Sequence, residues 1–410
     1  MLVTKMHHKI FSLIAAMVFA LNTFALSVET DRQWYLAGEA MKVSITAPDA
    51  QIAYAELCDV HGLAASAVLT MKDGVAAGTI QLPADLHSGY YLLSAYTRHG
   101  SQASQQLVAV VNAFHRSQDD DIKWVLGDSC WAMADGTADF VSQKAPVLRE
   151  LEGHVVKARV KNSYNDHTFR ASQIRPSLSV IGKQIHYFEG KMVNDSTALF
   201  YTFGVSGKQP IVLSAASFSG VSLPVEVVSP FATLLPKELP HLVFHYKRSE
   251  VEARSLDMQR KLGTVPASEG TVPEKLDLLF GTQPNLSYNL DEYRQFLTVR
   301  EVLLEYVNCV TNRKVNGTTQ LFVRKEQEHY DTSLPTLVLI DGMPVSDADR
   351  LLNYDARRIH YINIYTGQFT FGNGPYNGVL SFITRSGQLT NYPVERNMQY
   401  LEYDFPKVDL

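Results

Sequence analysis

The stretch that decides the reading is Leu334–Gly387. It holds Leu337-Val338-Leu339-Ile340, which runs into Asp341-Gly342-Met343-Pro344-Val345. After a polar interval come Arg358-Ile359-His360-Tyr361-Ile362-Asn363-Ile364, then Phe371-Gly372-Asn373-Gly374-Pro375-Tyr376-Asn377-Gly378. The stretch closes with Val379-Leu380-Ser381-Phe382-Ile383-Thr384-Arg385-Ser386-Gly387. Short apolar runs rich in Val and Ile, each ended by turn residues, read as strands of a covered sheet. Asp341-Gly342 reads as a structural turn: Asp tolerates the tight bend and Gly supplies positive φ. Just upstream, Thr298 with Glu301 forms a capping box. Val299, Val302, Leu303, Tyr306 and Val307 then recur at helical spacing, so a helix over about 299–310 should cover the sheet. Leu321–Val323 reads as a further strand.

This order resembles the plug domain of TonB-dependent outer-membrane receptors. The matching parts are a strand ending "IDG-x-PV", a later strand, a Gly-rich "YG…G-x-NG" loop and a strand ending "T-x-x-G". The resemblance implies a small α+β unit. In a receptor a barrel of several hundred residues follows the plug, whereas here about two dozen remain. The expectation is thus of a plug-like unit without its own barrel, not a transport channel by itself. A receptor-like chain cut before its barrel would read the same way. The loop Phe371–Gly378 carries two readings of equal weight. One is a plain crossover between strands. The other is an exposed interaction loop that touches a barrel wall or another protein, which is how the resemblance uses such loops. It is not a phosphate loop, because no Lys-Ser/Thr follows it.

At 410 residues the chain has room for roughly two to four domains. Hydrophobic residues make up 46% and charged residues 19%, as in a folded globular protein. The net charge of −5 comes with no long Lys/Arg run, which argues against nucleic acid as a partner. Residues 1–25 read as a secretory signal: Lys5 and Lys9, an apolar Ile10–Ala20, and small residues placed for cleavage after Ala25. No Cys follows that site, and no later segment approaches roughly 18 continuous apolar residues. The chain should therefore be exported to the periplasm or outer membrane, with no transmembrane span of its own. Cys58, Cys130 and Cys309 fall in three different segments and give no disulfide framework; they read as small buried residues.

Residues 26–111 read as a β-sandwich. Met41, Val43 and Ile45 alternate with Lys42, Ser44 and Thr46, and Asp73-Gly74 signals a hairpin. Trp34-Tyr35-Leu36-Ala37-Gly38-Glu39, Ala55-Glu56-Leu57, Leu82-Pro83, Ser88-Gly89-Tyr90-Tyr91-Leu92 and Tyr96-Thr97-Arg98 resemble the macroglobulin-like β-sandwich of exported bacterial proteins. The Cys-x-Glu-Gln stretch of its thioester-bearing members is missing, so covalent trapping is not expected. Residues 112–145 read as a connector with a solvated acidic loop at Asp119–Asp121. Residues 146–235 read as a second sandwich, opened by the alternation of Val156, Ala158 and Val160 with Lys157, Arg159 and Lys161. In 236–288, Ser249 with Glu252 and Gly263 predict a helix from about 250 to 262, followed by a Pro-rich linker. The plug-like unit is 289–410. The fold class is mainly β: two immunoglobulin- or macroglobulin-like sandwiches, then a small α+β unit.

Sites for chemistry are sparse. His241 and His245 stand on a strand-like run, roughly 13 Å apart, too far for one metal. Ser129 lacks a nucleophile elbow, and no P-loop, Rossmann or H-E-x-x-H pattern occurs. No enzyme activity, cofactor or metal is expected. The reading is a non-catalytic exported component that binds a protein partner, docking with or occluding a separate outer-membrane β-barrel or translocon. The alternatives are a surface adhesion or glycan-binding sandwich protein, and a hydrolase with a scattered site.

Overall fold

The alternation at 40–46 becomes strand β3, whose Met41, Val43 and Ile45 are buried while Ala40, Lys42 and Ser44 are exposed. The structure is a computed structural model. It describes residues 26–406 except 49, 101, 114, 140–144, 146, 149, 151–152, 165–166, 183–185, 264–282, 316, 325–333, 372–373 and 390. The signal over 1–25 and most of the Pro-rich linker lie outside the described residues. The fold is mainly β, and the chain divides into two compact units. Among the described residues no helix is long and apolar enough to cross a membrane.

The first unit takes the described parts of Met1–Leu151 and Phe231–Ser268. Its strands are β1 (Ser27–Thr30), β2 (Trp34–Leu36), β3 (Ala40–Thr46), β4 (Ile52–Cys58), β5 (Leu63–Thr70), β6 (Val75–Gln81), β7 (Gly89–Tyr96), β8 (Ala103–Val111), β9 (Ile122–Leu126), β10 (Trp131–Asp135) and β18 (His241–Tyr246). A three-stranded sheet β1-β3-β6 and a five-stranded sheet β2-β8-β7-β4-β5 share a core of Tyr35, Met41, Ile45, Leu57, Ile80, Tyr91 and Leu93. All seven residues of β4 are buried, so the larger sheet is covered on its other face too.

Two elements far along the chain provide that cover. Phe231–Leu234 lies against β4 and β7. There the fully buried Glu56 accepts hydrogen bonds from the backbone N–H groups of Thr233 and Leu234 and from the Tyr96 hydroxyl. Beside it, Glu150 pairs with Arg98 and accepts from Tyr54. The second element is a small sheet, β10-β18-β9, with helix α1 (Arg248–Gly263). Leu242, Phe244, Val251 and Met258 from these elements pack on Trp34, Leu36, Ala109 and Val111. The stretch 112–145 is thus more than a connector, since it contributes β9 and β10 to a sheet completed by β18. Ile122-Lys123-Trp124-Val125-Leu126 is a strand-forming run of its own. Helix α1 begins at Arg248, one residue ahead of Ser249, which lies inside the first turn.

The second unit takes the described parts of Glu152–Pro230 and Glu269–Val408. Its strands are β11 (His154–Val160), β12 (Ile174–Val180), β13 (His186–Glu189), β14 (Lys191–Met192), β15 (Thr197–Thr202), β16 (Gly207–Ser217), β17 (Val225–Val228), β19 (Leu286–Asn289), β20 (Val310–Val315), β21 (Thr318–Val323), β22 (Leu337–Ile340), β23 (Met343–Pro344), β24 (Ile359–Phe371), β25 (Gly374–Thr384) and β26 (Gln399–Phe405). They stack in layers. Sheet β14-β15-β11-β17 packs on sheet β13-β12-β16-β26 around Val156, Leu178, Phe200, Ile211 and Leu213. The far face of the latter meets a mixed sheet, β19-β24-β25-β22-β23, through Tyr187 against Leu337, Leu339, Tyr365, Tyr376 and Val379. Helices α2 (Val299–Glu305) and α3 (Ala348–Leu352) cover the outer face of the mixed sheet with Val302, Leu303, Leu351 and Leu352. The capping box at Thr298 and Glu301 forms with both of its bonds.

The stretch Leu334–Gly387 supplies β22, β24 and β25, with β22 parallel to β25 and β24 antiparallel to it. A plug-like unit bounded at 289–410 does not stand apart, however. Strand β26 pairs along β16 from Gly207–Phe405 to Leu213–Gln399. Tyr403 and Phe405 enter the sandwich core, and Tyr403 meets the buried His154 at 2.7 Å. Strand β26 therefore completes the sandwich that β11 opens.

Candidate functional site

Asp341 and Gly342 form the expected turn, with φ of 45° and 92°. Asp341 is also a fully buried hub. Its carboxylate accepts from the Thr384 N–H at 2.7 Å, the Thr384 hydroxyl at 2.6 Å and the Leu389 N–H at 2.7 Å. Burial raises its pKa, and these three bonds pull it back. The role is to lock the end of β22 to the end of β25.

Of the two readings of the Phe371–Gly378 stretch, the exposed interaction loop does not hold for its described residues 375–378, which lie in a paired strand with Tyr376 buried. Gly372 and Asn373 lie outside the described residues. Phe371 pairs with Gly374, and Gly374, Pro375, Tyr376, Asn377 and Gly378 belong to β25. Tyr376 is only 7% exposed. Its hydroxyl bonds to Tyr187, and the Arg175 guanidinium stands 5.3 Å from its ring. Asn377 is tied by its N–H to Pro335 and by its carbonyl to the Thr336 hydroxyl. A second sheet packs against this segment, and the Gly and Pro content of the sequence does not reveal that.

The remaining polar candidates lie apart from one another, each held by its own neighbours. His245 lies flat on Trp131, with centroids 3.8 Å apart, and His241 meets Asp121. Cys58, Cys130 and Cys309 form no disulfide with one another, and burial pushes Cys58 up to about 12. Among the described residues no group of three His, Cys, Asp or Glu side chains is placed to hold a metal.

A concave feature with room for a partner lies in the first unit, beside α1. Its construction starts at Trp34–Glu39. Gly38 has φ of +91°, and a Cβ there would stand 3.0 Å from the Met258 sulfur, so glycine lets the helix approach. The Glu39 carboxylate receives Arg254 as a fork: Nε to Oε1 at 2.9 Å and Nη2 to Oε2 at 2.6 Å. The same guanidinium lies 3.7 Å over the Trp34 ring and donates to the Trp34 carbonyl. A bidentate, stacked, mostly buried arginine holds orientation as well as charge. Glu39 also accepts the Leu36 N–H at 2.8 Å, which fixes its carboxylate for the helix.

The helix so anchored walls a cleft of about 830 Å³. Val251, Ser255 and Leu256 line it from the helix, Trp124, Leu126 and Tyr246 from the small sheet, and Asn112, Ala113 and Arg116 from the end of β8. Leu126 is 74% exposed and Leu256 54%. Both side chains border the same concavity, so their exposed apolar surface is gathered in one place. Arg116, Arg248 and Glu252 add charge at the rim; Arg248 and Glu252 pair at 3.5 Å. The sequence reading missed this cleft because its walls come from three segments read separately as strand end, connector and helix.

No family model matches the chain, and no curated protein matches it. Among solved structures, it resembles Escherichia coli alpha-2-macroglobulin activated by porcine elastase, at 11% identity and a TM-score of 0.20. That likeness covers 50% of this chain and 20% of the other. A biofilm-associated protein BSP domain matches at 9% identity and a TM-score of 0.18, over 54% of this chain and 29% of that one. A Bacteroides ovatus glucan-utilization protein, SGBP-B, solved with a mixed-linkage heptasaccharide, matches at 11% identity and a TM-score of 0.12, over 52% of this chain and 43% of that one. The chain spans less than a third of the first two structures. At these scores the fold assignment rests on the sheets described above.

Proposed function

We propose that this protein is a non-catalytic, exported interaction component of the cell envelope that captures a protein partner in the periplasm or at the outer membrane. The cleft beside α1 carries the reading: it is large, of mixed apolar and polar lining, bordered by the exposed Leu126 and Leu256, and held by a buried Glu39–Arg254 pair that fixes its helical wall. The resemblance of Leu334–Gly387 to a receptor plug favours an outer-membrane β-barrel or translocon as the partner class. Mild crosslinking of intact cells, followed by purification from the outer membrane, tests it. A single specific partner is expected. Recovery of the chain alone, from cells in which it is exported and folded, would overturn the proposal.

Glycan binding has one observation in its favour. Trp131 lies flat on His245 and remains 44% exposed, a surface on which a sugar ring could stack. Binding to an oligosaccharide array that Trp131→Ala abolishes would move the reading there.

A further inference from the structure

The cleft borders a strand with one side unused. In the order β10-β18-β9, strand β9 pairs with β18 in parallel, Ile122 with Leu242 through Leu126 with Tyr246. Among the described residues it has no strand on its other side. We propose that a segment of the partner adds to this edge in extended form, placing a large apolar side chain in the cleft and an acidic side chain on the same face. This inference rests on the interaction reading and specifies how the partner is held.

Three observations lead to it. An edge strand offers a row of backbone donors and acceptors that another extended chain can satisfy, so main-chain bonds supply part of the affinity. The side chains of β9 alternate: Trp124 and Leu126 line the cleft, whereas Lys123 and Val125 do not. An added strand would alternate in the same way, so every second residue, roughly 7 Å apart, would face the cleft. A volume of about 830 Å³ falls in the upper part of the range of natural binding pockets, ~300–1,000 Å³, and so exceeds what one small side chain would fill.

Charge then selects among sequences. Two arginines and one glutamate stand at the rim. Glu252 is engaged by Arg248, and Arg116 makes no ion pair among the described residues. A carboxylate two positions from the apolar anchor would lie on the cleft side, where Arg116 stands. A basic side chain there would face two guanidinium groups. A lipid chain or small apolar molecule could occupy the cleft, but it would leave the β9 edge unpaired and would ignore Arg116.

The test uses the full exported chain and a phage-displayed library of short random peptides. Enriched peptides should carry a large apolar residue with Asp or Glu two positions away. Leu126→Arg and Arg116→Glu should each weaken the selected peptide at least about tenfold, with unchanged melting. Reversing the peptide's acidic residue to Arg should restore binding to Arg116→Glu. Methylating successive peptide amide nitrogens should abolish binding at alternate positions, those that face β9. Equal binding to all variants, tolerance of every methylation, or failure to enrich any peptide would each overturn the inference. A partner that co-purifies from outer membranes equally well with wild type and Leu126→Arg would also overturn it, while leaving the interaction reading intact.

Discussion

Arg254→Ala should release helix α1 without unfolding the sandwich beneath it. The substitution removes a two-bond fork to Glu39, a bond to the Trp34 carbonyl and a cation stacked at 3.7 Å on Trp34. Breaking one side of a buried ion pair costs about 3–5 kcal/mol, because the other charge stays buried. Glu39 keeps the Leu36 N–H and the more distant Arg32, which favours the lower figure of about 3 kcal/mol. At about 1.4 kcal/mol per tenfold, that is roughly a hundredfold change in the docking equilibrium of the helix. A sixteen-residue helix is marginal once its packing is lost, so undocking should show as unfolding of the helix. Native-state hydrogen exchange reads this directly. Amides over 251–260 should exchange roughly a hundredfold faster, by the same conversion, while those of β4 and β7 keep their protection. Arg254→Lys keeps the charge but not the fork, and should fall between the two. Helix protection that changes less than about threefold, under ~0.7 kcal/mol, would refute the clamp as the element that fixes this wall. Equal loss in β4 would refute local undocking.

Asp341→Ala should destabilise the second unit by roughly 3–5 kcal/mol in urea unfolding, since it leaves the buried Thr384 and Leu389 N–H groups without their acceptor; a loss under ~1 kcal/mol would remove Asp341 as a hub. The pKa of Asp341 is raised by burial, so the native state holds its proton more tightly than the unfolded chain does. The stability linked to that proton is present below the unfolded value near ~4 and is lost as pH rises through the raised folded value. The urea midpoint of wild type should therefore fall relative to that of Asp341→Asn as pH rises over that window; a relative rise would contradict the sign. Tyr376→Ala should cost about 3–5 kcal/mol in the same assay, as for other buried aromatics, and near-neutral melting would return Tyr376 to an exposed loop.

Local pattern was legible wherever one face of an element is wet. Met41, Val43 and Ile45, the Thr298–Glu301 cap, the α1 span and the strand stretches at 337–340, 359–364 and 379–384 all announce themselves through period, caps and turns. The turn at Asp341 was legible as well, but its burial was not, because Thr384 and Leu389 stand more than forty residues away. The same limit hid the larger features. Leu401, Tyr403 and Phe405 alternate with Glu402 and Asp404 and so mark a strand, yet nothing local assigns it to β16. Glu39 and Arg254 are separated by 215 residues, and neither is unusual in its own segment. Tyr376 is flanked by turn-forming residues, and only the sheet packed against it makes it core. The cleft beside α1 is assembled from such distant pairings, which is why the sequence suggested an interaction protein but placed the contact surface elsewhere.

The most direct test of that placement is a photoreactive side chain built into the full chain at position 126, compared with one at Tyr201, an exposed aromatic in the other unit. In cells exporting the protein, illumination should join position 126 to one defined protein and leave position 201 without that product. No product from 126, or the same product from both positions, would contradict the cleft as the site where this protein holds its partner.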